Sequence, residues 1–192
     1  LHPEKQKVNS LGNVIHYLGF GYASHSGIAM NPVMAKRTRI NYASGAGVLL
    51  RRTAIKEIGL FDDFMFMYLE DLDLGWRMLL AGMTSEIVAE SIVYHKYEFS
   101  RGMQQYYYFE RNRLWIIAKN YRLMTLAVVA PAFVLMEIGQ LLYATVRGHL
   151  FQKLRGYAFF LSLKNMRKLL RDRRHVQRTR RITDREILAQ FS

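Results

Sequence analysis

Leu60-Phe61-Asp62-Asp63-Phe64-Met65-Phe66-Met67-Tyr68-Leu69-Glu70-Asp71-Leu72-Asp73-Leu74 sets aromatic and apolar side chains directly against a dense group of carboxylates. Apolar surroundings raise the cost of ionising a carboxylate, and neighbouring carboxylates repel one another's charge. An acid held in this way is poised to act as a general base near neutral pH. Downstream, Leu72, Trp76, Leu79 and Leu80 fall at helical spacing, and Gly82 stands where a C-terminal glycine cap belongs. The spacing predicts a helix over residues 70–81, with Asp71 in its first turn. A plainer reading stands beside the catalytic one. Asp and Glu begin many helices because they cap free N–H groups and favour the positive end of the helix dipole. The local pattern by itself favours that plainer reading.

Working upstream, Tyr42-Ala43-Ser44-Gly45-Ala46-Gly47-Val48-Leu49-Leu50 runs small residues into an apolar stretch that reads as a strand. Small residues mark close approach of the backbone to something, either a ligand or another strand. The two glycines are too close for a dinucleotide fingerprint and no Lys-Ser/Thr pair follows, which excludes a P-loop. Residues 51–59 read as a short helix closed by Gly59. Residues 8–30 read as short strands broken by turns, and His16 and His25 lack partners at metal-ligand spacing.

Working downstream, Ile87-Val88 and Ile92-Val93-Tyr94 are strand-like, and His95 closes the second run. A histidine at a strand end beside acids suits a divalent metal, although a lone histidine is more often structural. Residues 102–120 turn helical and aromatic, through Tyr106-Tyr107-Tyr108-Phe109-Glu110-Arg111-Asn112-Arg113-Leu114-Trp115. Arg111 and Arg113 have the planar fork that grips phosphate; the alternative is an internal pair with Glu110 or a core carboxylate. A single base-stacking platform is not expected, since consecutive tyrosines on a helix point in different directions.

Residues 123–146 carry one charge, Glu137, and are long enough to cross a bilayer. Residues 164–181 follow with nine Lys and Arg against one acid, Asp172. A single crossing would put this basic run opposite residues 1–120, against the positive-inside tendency if that part is cytoplasmic. A re-entrant or in-plane segment, or a hairpin completed by residues 150–163, is therefore expected, with the basic run on anionic headgroups. A nucleic-acid-binding tail is the alternative, and the adjacent apolar segment favours membrane.

The whole composition agrees with that division. The chain has 192 residues, a net charge of +13 and no cysteine. Disulfides and thiolate zinc sites are excluded. Residues 1–120 hold 14 Lys and Arg against 11 Asp and Glu, whereas residues 121–192 hold 14 against 4. The basicity belongs to the C-terminal part.

Taken in order, these pieces resemble the C-terminal half of a family 2 glycosyltransferase of the GT-A fold, in its rhamnosyltransferase-like branch. The similarity runs through Ala43-Ser44-Gly45-Ala46-Gly47-Val48-Leu49-Leu50-Arg51-Arg52, Ile58-Gly59-Leu60-Phe61-Asp62 and Phe66-Met67-Tyr68-Leu69-Glu70-Asp71-Leu72-Asp73-Leu74. Arg77, Gly82, Val93-Tyr94-His95-Lys96 and the Arg111-Asn112-Arg113 helix extend it. The resemblance implies an α/β fold: residues 1–120 as the acceptor-side part of a GT-A nucleotide-sugar transferase domain, then residues 121–192 as an apolar and basic helical membrane-associated tail. It implies inverting transfer of a sugar from a nucleotide-sugar donor to a glycan or lipid-linked acceptor. Asp71 of the Glu70-Asp71 motif would be the general base. Ser44, Gly45 and Ala46 would line the acceptor side, Arg111 and Arg113 would touch substrate, and His95 would join a divalent metal, Mn²⁺ or Mg²⁺.

The Asp71-Leu72-Asp73 spelling is not expected to be the family's metal-binding Asp-x-Asp, which lies upstream. The donor-binding half has no counterpart in residues 1–42. The chain is therefore expected to be part of a longer protein, inactive alone, at the cytoplasmic face of a bacterial inner membrane. Membrane surface is an expected partner and nucleic acid is not. The competing reading is a non-catalytic basic module that binds the membrane surface.

Overall fold

The computed structural model describes residues 7–29, 38–88, 90–94 and 103–191. Strands are short. β1 (Asn13–Ile15) and β2 (Gly21–Ala23) form an antiparallel hairpin that pairs Val14 with Tyr22. β3 (Thr38–Ile40) pairs antiparallel with β4 (Ser85–Ile87), so two segments far apart in sequence meet. An isolated bridge between Asn13 and Tyr42 ties the two pairs together.

Two expected strands are corrected. Residues 48–50 adopt no strand, and Leu49 is 98 % exposed; the pairing of β3 goes to β4 instead. Ile92, Val93 and Tyr94 also form none and are exposed. In both runs apolar composition suggested a strand, but no described strand pairs with either run.

Helices make the frame. α1 (Arg52–Ile58) ends at Gly59 and α2 (Glu70–Leu80) ends through Gly82, whose φ of 73° is the left-handed geometry a terminal glycine supplies without strain. α3 (Met103–Asn120) is the spine. Leu72, Trp76 and Leu80 of α2 join Trp115 and Ile116 of α3, with Tyr121, in one core. Trp76 meets Tyr121 and Phe191 edge-on at centroid distances of 4.8 and 4.9 Å. Gly75 lets α2 lie on the chain at Tyr42: a Cβ there would fall 2.1 Å from the Tyr42 Cβ.

The part beyond residue 120 divides by packing. α4 (Leu123–Val146) is one continuous helix with Pro131 inside it, and only Val129, Glu137 and Ala144 are buried. It is the one described helix long and apolar enough to cross a membrane. At about 1.5 Å per residue it measures roughly 36 Å, near the thickness of a bilayer's hydrocarbon. α5 (Leu150–Ala158) lies against α3. α6 (Leu163–Thr179) and α7 (Asp184–Leu188) give Leu169, Val176 and Ile187 to the core that holds Trp76 and Trp115. Asp184 accepts from the Arg122 backbone N–H at 2.7 Å, which ties α7 to the start of α4.

Glu137 has a reason to be in an apolar helix. It faces inward, to Arg113 of α3 and to Lys153 and Tyr157 of α5. Glu110 completes the group, 2.9 Å from Arg113 and also paired with Lys153. Two buried cations meet two carboxylates, so no charge is left uncompensated where desolvation would cost several kcal/mol per ion, by a rough general figure.

Candidate functional site

The site begins at the loop that delivers α2. Asp62 opens it by accepting the Phe64 backbone N–H at 3.2 Å, which starts a 3-10 turn over Asp63–Met65. The backbone then enters the left-handed region three times without glycine, at Phe66 (φ 63°), Tyr68 (65°) and Leu69 (65°). Such conformations cost roughly 1–2 kcal/mol each for residues with a Cβ, and they persist only when surrounding structure over-determines them.

That structure is the Arg111–Asn112 pair on α3. The Asn112 side-chain amide donates to the carbonyls of Met65, Met67 and Tyr68 at 3.0, 2.8 and 2.8 Å. Arg111 donates to the carbonyls of Phe64 and Met65 at 2.9 and 2.8 Å, and to Asn112 Oδ1 at 2.7 Å. Its guanidinium is boxed by the rings of Tyr108 and Phe159, each centred 4.9 Å away. Five backbone contacts from two adjacent side chains hold the strained loop.

The loop ends on Glu70 and Asp71. Asp71 accepts the backbone N–H of Leu72 at 2.8 Å and of Gly45 at 3.0 Å. Burial raises its carboxyl above the usual range, and the backbone donors oppose that only in part. Glu70 is raised too, by burial first and then by the charge of Asp71, and its Oε2 is buried without a hydrogen-bond partner. Burial, with the Asp71 charge second, also pushes the Tyr42 hydroxyl up. An acid pair has thus been placed where ionisation is costly, and no cation among the described residues relieves it.

Gly45 is therefore brought to Asp71, and Ser44 and Ala46 lie beside it in a turn closed by Gly47 N–H to Ser44 C=O at 3.2 Å. A Cβ at Gly45 would stand 3.8 Å from that of Asp71, in ordinary contact. Arg111 and Arg113 are not brought to the surface. Arg113 is fully buried in the Glu110–Glu137 group, and Arg111 is spent on loop carbonyls. The expectation that either clamps phosphate is corrected here, and its alternative, an internal pair with Glu110, holds for Arg113. His95 lies outside the described residues.

Asp73, two residues on from Asp71 in α2, faces the other way. It is 0 % exposed and meets Arg77 Nε at 2.8 Å, Lys119 at 2.8 Å and Asn120 at 3.3 Å. Arg77 in turn donates to the carbonyls of Ile58 and Leu60 at 2.7 Å each, pinning the turn before the loop. Lys119 continues to Asp62 at 3.1 Å. With its oxygens engaged, Asp73 cannot chelate beside Asp71. Among the described residues, no group of three or more acidic, histidine or cysteine side chains could hold a metal.

Sequence reasoning missed Asn112 and Tyr42 as parts of the site. Asn112 left a signal, an uncharged amide on a helix between two arginines and beside aromatics. Its partners, backbone carbonyls more than forty residues away, left none.

The family model described as "Glycosyltransferase like family 2" matches residues 7–118. Two curated relatives, both named N-acetylglucosaminyl-diphospho-decaprenol L-rhamnosyltransferase, come from Mycobacterium tuberculosis strains CDC 1551 / Oshkosh and ATCC 25618 / H37Rv. Each is 41 % identical over 63 residues. That match covers 33 % of this chain and only 20 % of either relative. No solved structure matches the chain significantly.

Proposed function

Because the chain belongs to the glycosyltransferase-like family 2, we propose that it supplies the acceptor-activating side of an inverting sugar transfer, with Asp71 as general base. The donor would be a nucleotide-sugar and the acceptor a hydroxyl of a glycan or lipid-linked glycan. The observation that carries this reading is the placement of Asp71, buried enough to hold a proton more readily than an ordinary carboxylate, with the Gly45 N–H fixing one oxygen. As the acceptor oxygen bonds to the anomeric carbon, its proton passes to Asp71 and the bond to the departing diphosphate breaks on the opposite face. Phe66, 71 % exposed in the loop that leads to the acids, offers an apolar surface for a sugar ring.

The relatives act, by name, on a diphospho-decaprenol-linked sugar, which favours a lipid-linked acceptor here. The exposed apolar surface of α4 and the basic α6 fit attachment at a membrane surface, and the proposed location is the cytoplasmic face of a bacterial inner membrane. Sugar identity is left to the donor-binding part of such an enzyme. Alone, this chain is expected not to turn over.

The test uses a protein that joins this region to a donor-binding half. There Asp71→Asn should lower kcat by about 10²–10⁴-fold with circular dichroism unchanged. Turnover near normal would sink the base assignment.

A further inference from the structure

Four cations of α6, Lys164, Arg167, Lys168 and Arg171, line an open groove of about 450 Å³ whose remaining wall is Phe64. Their spacing, i, i+3, i+4 and i+7, puts them on one stripe of the helix. Like charges at this spacing repel, so the stripe is unfavourable unless something negative answers it. Inside the protein the answer is partial. Lys168 meets Asp62 at 3.2 Å and also pairs with Asp172, with the Phe64 ring centred 4.9 Å from its ammonium. Arg171 reaches Asp172 only at 3.5 Å and its side chain is 76 % exposed. Lys164 and Arg167 are exposed and make no ion pair with any described residue.

The groove is also connected. Phe64 begins the strained loop that ends on Asp71, and Arg111 holds its carbonyl. On the other side, Leu161 and Leu163 come just before Lys164 in the chain and are 84 % and 73 % exposed. A ligand that fits has concentrated negative charge, more than one oxygen face for the guanidinium forks, and an apolar continuation.

We infer that this groove between Phe64 and the first turns of α6 binds the diphosphate of an isoprenoid-linked acceptor. The lipid chain would leave past Leu161 and Leu163. The inference rests on the proposed transfer to a lipid-linked acceptor for its choice of ligand, and the groove itself is defined without it. Lys168, fixed by Asp62, is the preorganised contact, while Lys164, Arg167 and Arg171 close on the phosphates.

The test is titration calorimetry of this chain in nonionic detergent. Micelles are doped either with a polyprenyl diphosphate or with phosphatidylglycerol at equal total charge, and inorganic pyrophosphate is measured separately. Binding to the polyprenyl diphosphate should be about tenfold tighter than to phosphatidylglycerol, or about 1.4 kcal/mol. Arg167→Gln with Arg171→Gln should erase that preference. Arg174→Gln with Arg178→Gln, further along the same helix and outside the groove, should leave it intact.

Equal affinity for the two lipids would overturn the site in favour of a general anionic surface. So would equal loss in the two double variants. Pyrophosphate binding as tightly as the lipid would overturn the isoprenoid assignment. Asp71→Asn should bind normally in this assay, so a failure of the base reading shows in turnover and a failure of the groove shows here.

Discussion

Asp71 and Asp73 stand two residues apart on one helix and live in opposite electrostatic worlds. Asp73 is wholly buried, and burial alone would raise its carboxyl, yet Lys119 and Arg77 outweigh that and hold it below the usual range. Asp71 is half-buried, receives only backbone N–H groups among the described residues, and is raised by that burial. The difference is a matter of helical phase. A step of two residues turns a side chain by roughly 200°, which sends Asp73 into the α2–α3 interface and Asp71 toward the Gly45 turn. One acid is used to build the frame, and the other is kept unneutralised at its mouth. The comparison teaches that in this chain burial is no guide to role; the partner is.

The strongest way to break the comparison is to remove the buried acid. Asp73→Ala leaves Arg77 and Lys119 without their shared counter-charge and should cost about 3–5 kcal/mol in denaturant unfolding. A loss as small as that of an exposed substitution would mean that water reaches the network. A gentler cut sharpens it from the other side. Asn112→Ala releases three carbonyls of the strained loop and should cost about 1–3 kcal/mol. It should also return the Asp71 carboxyl toward its ordinary value, read by carbon NMR titration, and Asn112→Asp should not restore the missing donors. An unshifted Asp71 in the Ala variant would show that α2, not the loop, sets its position.

Acid titration separates the two classes by sign. Asp62 is held at about 2: burial opposes, and Lys119 and Lys168 prevail. It and Asp73 contribute stability that is present above the unfolded carboxylate value of 3.8 and is lost as pH falls through their folded values. Asp71 has the opposite sign. Its raised folded value is a cost that exists at neutral pH and vanishes below the unfolded value. Asp71→Asn should therefore raise the melting temperature slightly at pH 7, and the advantage should fade as the pH is lowered through the acid range. A lower melting temperature at pH 7 would show that the charged form is stabilised by contacts that outweigh its burial. This is the smallest of the expected effects.

Much of the frame was legible in the chain. The apolar spacing of Leu72, Trp76, Leu79 and Leu80 with Gly82 located α2, the aromatic run located α3, and the 24 residues with a single charge located α4. These are local signals, and period and caps are written locally. The strands were less legible, because Leu49 and Ile92 look like strand residues and whether they pair depends on an edge being available. The tail was half legible. Its basicity was plain, but that Leu169, Val176 and Ile187 plug the same core as Trp76 was not.

The sequence by itself determined the helices, the concentration of acids at the start of α2 and the family to which this order of motifs belongs. Only the tertiary structure decided what each charge does. It put Arg111 and Asn112 on loop carbonyls, Arg113 and Glu137 on each other, Asp73 on Arg77 and Lys119, and, among the described residues, gave Asp71 backbone donors alone. The reason is physical. A charged side chain's role is set by whichever groups lie within a few ångströms of it, and those groups come from distant parts of the chain.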